Sequence, residues 1–216
     1  MEDENMNVKR EEIEKLIGSI QFDRWIFGFP TRFTIVSHKH QDHDPFSGSM
    51  SFPEPLIFGW KFKDRFAERV SEMVRGKLPE HFNLSDGDFT TIGHVRVRCL
   101  GRENIARLSR VEIEQLHADW WVLSTKKYMV LFVGELDGTE LSALSKLLEE
   151  APEVDAVMFP SYGRIENFST HRLTDPEQLQ RDIAEIAERE RRKGRLVYAL
   201  PHPVIPKWAD RIAHRI

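Results

Sequence analysis

Residues 38–43 read His-Lys-His-Gln-Asp-His. On extended backbone, side chains two residues apart point the same way, so His38 and His40 can address one cation together. The chain then turns, and Asp42 and His43 can reach a second cation beside the first. Imidazole and carboxylate donors suit zinc, with manganese and iron as alternatives, and the nitrogen-rich set favours zinc. A divalent ion lowers the pKa of a bound water from about 15.7 to about 7 and can polarise a carbonyl or phosphoryl oxygen as a Lewis acid. The expected chemistry is therefore hydrolysis by a metal-held hydroxide, with Asp42 and His43 closest to the reacting atoms.

Such a cluster has to be carried on a rigid element. Thr31 to Val36 (TRFTIV) is short, apolar and β-branched, which predicts a buried strand running directly into His38. Residues 45–60, with three prolines and two glycines among large aromatics, read as a long loop. Phe46, Phe52, Phe58 and Trp60 either pack there or line a pocket, and packing is the preferred reading. A helix follows over Asp64–Arg75, with Phe62, Phe66, Met73 and Val74 on one side. Asp86-Gly87-Asp88 signals a turn, and His94 to Leu100 alternates apolar and charged residues as a half-buried strand does. Strands are expected over Glu112–His117, Trp120–Ser124, Tyr128–Val133 and Val154–Phe159, with a turn at Lys126-Lys127. Two helices are expected. One is capped by Thr139 and buries Leu141, Leu144, Leu147 and Leu148. The other opens at Asp175-Pro176 and stops at Gly194. Arg195 to Leu200 is a last strand, ending at Pro201-His202-Pro203. The alternation of strands and helices in the second half predicts α/β layers.

Composition excludes several classes. A chain of 216 residues suits one domain. We expect residues 1–16 to be a polar leader passing into a short helix and 17–216 to form that domain. One cysteine rules out a disulfide framework and a cysteine-rich zinc ribbon, and Cys99 reads as a small core residue. No apolar run reaches the roughly 20 residues of a membrane-spanning helix, and the acidic start does not resemble a signal peptide. A cytoplasmic protein without a membrane partner is expected. The net charge of −4 disfavours a broad electrostatic grip on nucleic acid and tilts the expected substrate toward a small molecule.

The stretch His38-x-His40-x-Asp42-His43 at a strand end resembles the signature of the metallo-β-lactamase superfamily. The resemblance extends from about Phe33 to His202 and implies a four-layer αββα sandwich. It also implies a binuclear metal site and hydrolase activity. It makes His117, ahead of a hairpin, the third histidine of the first metal. It makes His202, after the last strand, a ligand of the second. At the place of the family's bridging aspartate this chain has Gly134-Glu135, so Glu135 is the expected bridge, with Asp137 the competing candidate. Only 37 residues precede the signature, so the N-terminal half of the fold is expected to be shortened, and a homodimer is expected to cover what is missing.

Within the superfamily the chain looks most like compact members similar to the lactonase that opens ascorbate phosphate. A small ester, lactone or phosphate-bearing metabolite is the expected substrate. The alternatives are a phosphodiesterase or RNA-processing nuclease, a diiron redox protein and a degenerate metal-binding protein. The redox alternative is disfavoured because diiron relatives carry Glu where this chain has His40. His81, His94, His171 and His214 need no ligand role, and Tyr162 and Arg164 fall where rim loops lie.

Overall fold

The computed structural model of the protein describes residues 2–23, 25–26, 30–38, 53–72, 79–134, 136, 138–161 and 176–201. Among these, two sheets and five helices form an α/β structure. The first sheet contains β1 (Ile20–Phe22), β2 (Trp25–Ile26), β3 (Phe33–Val36), β4 (Leu56–Phe58) and β5 (His81–Asn83), in the order β2-β1-β3-β4-β5. All its neighbours are parallel except β1 and β2. The second contains β6 (Phe89–Ile92), β7 (Val95–Leu100), β8 (Trp120–Ser124), β9 (Met129–Phe132), β10 (Ala156–Ser161) and β11 (Leu196–Pro201), in the order β11-β10-β9-β8-β7-β6. Here β9, β10 and β11 are parallel, while β6, β7, β8 and β9 run as an antiparallel meander.

Side-chain alternation sorts the core into layers. Phe33 and Ile35 of β3 and Ile57 of β4 face Val97, Trp121, Leu123, Val130, Phe132 and Met158 of the second sheet. The rings of Phe22 and Phe132 meet at 4.5 Å between the sheets. Val36, Leu56 and Phe58 point the other way, onto Phe62 and Phe66 of α2 (Trp60–Glu72). The outer face of the second sheet, with Trp120, Leu131, Val133, Val157 and Phe159, is covered by α3 (Arg102–Ser109), α4 (Gly138–Glu150) and α5 (Pro176–Arg192). The result is the expected αββα sandwich. Residues 2–18 form α1 (Glu2–Gly18) rather than a leader with a short helix, and Ile13, Leu16 and Ile17 enter the core between the sheets. Among the described residues no helix is long and apolar enough to cross a membrane.

Several local expectations need correction. Residues 112–117 form no strand. The buried pair there, Ile113 and Leu116, is spaced by three and packs under the helices, so the segment lacks the period of two a strand requires. Strands β1, β2, β4, β5 and β6, and helix α3, were not anticipated. Four of those strands have only two or three residues, too few for alternation to show, and β4 sits beside Pro53 and Pro55. Met73 and Val74, Phe46 and Phe52, His171 and His214, and Tyr162 and Arg164 lie outside the described residues. Phe58 packs on α2 as preferred, whereas Trp60 is 69% exposed. His94 is exposed, and Cys99 is buried with its thiol pKa pushed up by burial.

One ion cluster ties α5 to the sheet. The Glu190 side chain is fully buried and pairs with Arg189 at 2.8 Å, Lys193 at 3.1 Å and Arg195. The Arg195 guanidinium also donates to the carbonyls of Leu148, Ala151 and Val154, joining the end of α4 to the approach to β10. Burial pushes the Glu190 carboxyl up, but Arg189, Lys193 and Arg195 outweigh it and hold it below its ordinary value of 4.5. A carboxylate depressed in this way stabilises the fold above its unfolded pKa, and the contribution is lost as pH falls through the folded value. Glu190→Ala leaves the nearly buried Arg195 uncompensated and is expected to cost about 3 kcal/mol at pH 7. Urea denaturation between pH 7 and pH 3 should show that difference shrinking as the wild-type carboxylate is protonated.

Candidate metal centre

The parallel strands β1, β3, β4 and β5 all end at one rim of the sandwich, and so do β9, β10 and β11. Strand β8, antiparallel to β9, begins there. His38 follows β3 and His117 precedes β8, so both belong to this rim. Gly134, after β9, holds the rim together: a Cβ built on it would lie 2.5 Å from Cβ of Ser37, 2.7 Å from its Oγ and 3.0 Å from Cβ of Ala118. The Asp119 amide donates to the Ser37 carbonyl at 3.0 Å, fastening the two sheets at the same place. The residues adjoining His38, His117 and Glu135 are therefore in mutual contact. His38 is 2% exposed.

Each of the two predicted ligand histidines among the described residues lies near a buried carboxylate from outside the signature. Ser37 Oγ lies 2.7 Å from Nδ1 of His38 and donates to Oδ2 of Asp23 at 2.8 Å, while the Ser37 amide donates to Oδ1 at 2.7 Å. Asp23 follows β1, is fully buried and has φ of +51°, a conformation Asp and Asn tolerate better than most residues. Its amide donates to the Ile35 carbonyl and its carbonyl accepts from the Gln21 side chain. On the opposite side, Glu140 in the first turn of α4 is fully buried. Its Oε1 accepts the His117 amide at 2.5 Å and lies 3.4 Å from His117 Nδ1.

A third buried carboxylate, Asp119, accepts the Lys61 amide at 2.9 Å and so caps the start of α2 from across the sandwich. The cap needs Gly59, where a Cβ would sit 2.4 Å from Asp119 Oδ2. Burial raises the Asp119 pKa to about 6.

Metal-ligating histidines usually pass their other ring N–H to a carboxylate, carbonyl or water, which fixes the ring and its tautomer. His38, through Ser37 and Asp23, has that arrangement and fits a divalent cation. His117 Nδ1 stands 3.4 Å from Glu140 without a hydrogen bond to it, the carboxylate holding the His117 backbone amide instead. Among the described residues no group of three potential ligands meets. His40, Asp42, His43, Glu135, Asp137 and His202 lie outside the described residues, although Leu136, between the two candidate bridging carboxylates, is buried in the helix-side core. Sequence reasoning missed Asp23 and Glu140. Glu140 could have been found, because it stands i, i+4 and i+7 with Leu144 and Leu147, an acid on an apolar stripe. Asp23 interrupts an apolar and aromatic stretch, a weaker signal.

No protein-family model matches the chain, and no curated protein matches it. Solved structures with a similar arrangement include CmlA, a diiron β-hydroxylase from Streptomyces venezuelae, at TM-score 0.49 and 11% identity over 83% of this chain and 46% of that one. Another is Zn2+-bound PqqB from Methylobacterium extorquens, at TM-score 0.46 and 7% identity over 88% and 78%. A third is YhfI from Bacillus subtilis, described as a metallo-β-lactamase fold protein, at TM-score 0.40 and 13% identity over 86% and 72%. The chain spans less than half the length of CmlA.

The contact at Gly134 is open to test. Gly134→Ala must push β3 away from β8 and β9. It is expected to cost about 2 kcal/mol as an overpacked site and, if His38 and His117 serve as ligands, to weaken divalent-cation binding at least tenfold, read by denaturant unfolding and metal titration. Unchanged values would mean that the strand ends can separate without disturbing the histidines.

Proposed function

We propose that the protein is a metal-dependent hydrolase, with zinc as the metal and a small ester, lactone or phosphate-bearing metabolite as substrate. The observation that carries this reading is that His38 and His117 stand on one rim, His38 with Nδ1 on a Ser37 hydroxyl backed by buried Asp23, and His117 with its backbone amide on buried Glu140. That arrangement costs desolvation energy, and cores rarely bury carboxylates without a partner or a task. His38, His40 and His117 would hold the first ion, and Asp42, His43 and His202 the second. Glu135 would lie between them. When bound, the ion supplies an acidified water and a Lewis acid for the scissile carbonyl or phosphoryl group.

The chain's own residues do the rest. Asp23, through Ser37, orients the His38 imidazole before any ion arrives, and Glu140 fixes the backbone that carries His117. Asp42 would orient the attacking oxygen. The acidic overall charge supports a small substrate in place of a nucleic acid. A cytoplasmic setting and a homodimer belong to the same proposal.

Metal analysis of purified protein should find zinc, and His38→Ala should lower its content. A screen over lactones, thioesters and phosphodiesters should find an activity that falls at least 100-fold in His38→Ala. If metal content and all activities survive that substitution, the hydrolase reading is wrong.

A further inference from the structure

We propose that Asp23 is the positioning residue that decides which nitrogen of His38 carries the proton, and that it must be a carboxylate, not an amide, to do so. The proposal rests on the reading of His38 as a metal ligand. A carboxylate only accepts hydrogen bonds. Oδ1 of Asp23 takes the Ser37 amide at 2.7 Å, and Oδ2 takes the Ser37 hydroxyl at 2.8 Å. The hydroxyl has one proton, and it is committed to Asp23. At 2.7 Å from Ser37 Oγ, His38 Nδ1 must therefore be the donor. In the neutral ring the proton then sits on Nδ1, and Nε2 has the lone pair a cation needs. The three side chains form a relay with one direction, and Asp23 sets it.

An asparagine at this position reverses the relay without changing its shape. The Ser37 amide still requires an acceptor, so Oδ1 of the new residue must face it. The amide nitrogen then stands where Oδ2 stood, and it only donates. Ser37 Oγ accepts from it and turns its own proton toward His38 Nδ1. The ring proton moves to Nε2, which no longer offers a lone pair. Among the described residues no other group bonds the Ser37 amide or hydroxyl, both of which are engaged within this buried group. Backbone conformation is not disturbed, since asparagine accommodates φ of +51° as readily as aspartate.

The test uses the full chain, stripped of metal and labelled with 15N. Long-range 1H–15N correlation spectra of the imidazoles report each tautomer directly. Wild type should show His38 protonated on Nδ1, and Asp23→Asn should show it on Nε2. Zinc titration should give an affinity 10- to 100-fold weaker in Asp23→Asn, the usual effect of losing an outer partner of a ligand. If Asp23→Asn folds poorly, Ser37→Ala serves instead: it removes the relay while keeping Asp23, and His38 should then populate both tautomers. An Asp23→Asn protein with the Nδ1 tautomer and wild-type zinc affinity overturns the proposal, as does a Ser37→Ala protein that keeps a pure Nδ1 tautomer. If the wild type takes up no zinc yet its tautomer flips as described, the relay stands and the hydrolase reading falls.

Discussion

The absence of a side chain at Gly134 allows the two sheets to meet at their rim. A single added carbon would fall inside the van der Waals envelope of both Ser37 and Ala118. That contact is the hub of the site, because Ser37 and Ala118 each adjoin a histidine and Gly134 adjoins Glu135. Three segments far apart in the chain thus arrive within one side chain's breadth of each other. Glycine contributes here by its small volume alone; no unusual backbone angle is involved.

Around that hub the protein buries charge where a core would otherwise be apolar. Asp23 and Glu140 are fully buried and Asp119 nearly so, and each is bonded to backbone N–H groups of a different segment. Backbone amides stabilise a buried carboxylate without introducing a second charge to desolvate. Asp119 joins the start of α2 to the approach to β8. Asp23 joins β1 to β3, and Glu140 joins α4 to the segment before β8. The carboxylates therefore act as clamps between elements as well as partners for imidazoles. The Glu190 cluster at the helix layer follows another logic, with three cations around one anion and the carbonyls of Leu148, Ala151 and Val154, at and after the end of α4, taking the remaining donors.

Long, regular elements were legible in the sequence. The Leu141, Leu144, Leu147 and Leu148 stripe marks α4, Pro176 and Gly194 bracket α5, and the alternation in Val95–Leu100 marks β7. Short ones were not. A strand such as Leu56–Phe58 has three residues, all buried, so it shows no period, and it exists because β3 and β5 pair with it on either side. The segment before β8 misled for the opposite reason. Its apolar residues suggested a strand, but its backbone bonds go to a helix carboxylate in place of a neighbouring strand.

By itself the sequence determined the chemistry on offer: three histidines and an aspartate within six residues at the end of a buried strand, and an α/β alternation able to carry them. Those are local properties, set by residue type and spacing of two. The family resemblance pointed to His117 as a partner of His38; the tertiary structure set the two on one rim and alone decided that Asp23 and Glu140 stand behind them. These pairs are separated by up to 79 positions in the chain (residue 38 to residue 117), and no local pattern relates them. What brings them together is the packing of one sheet on the other, possible where Gly134 leaves room.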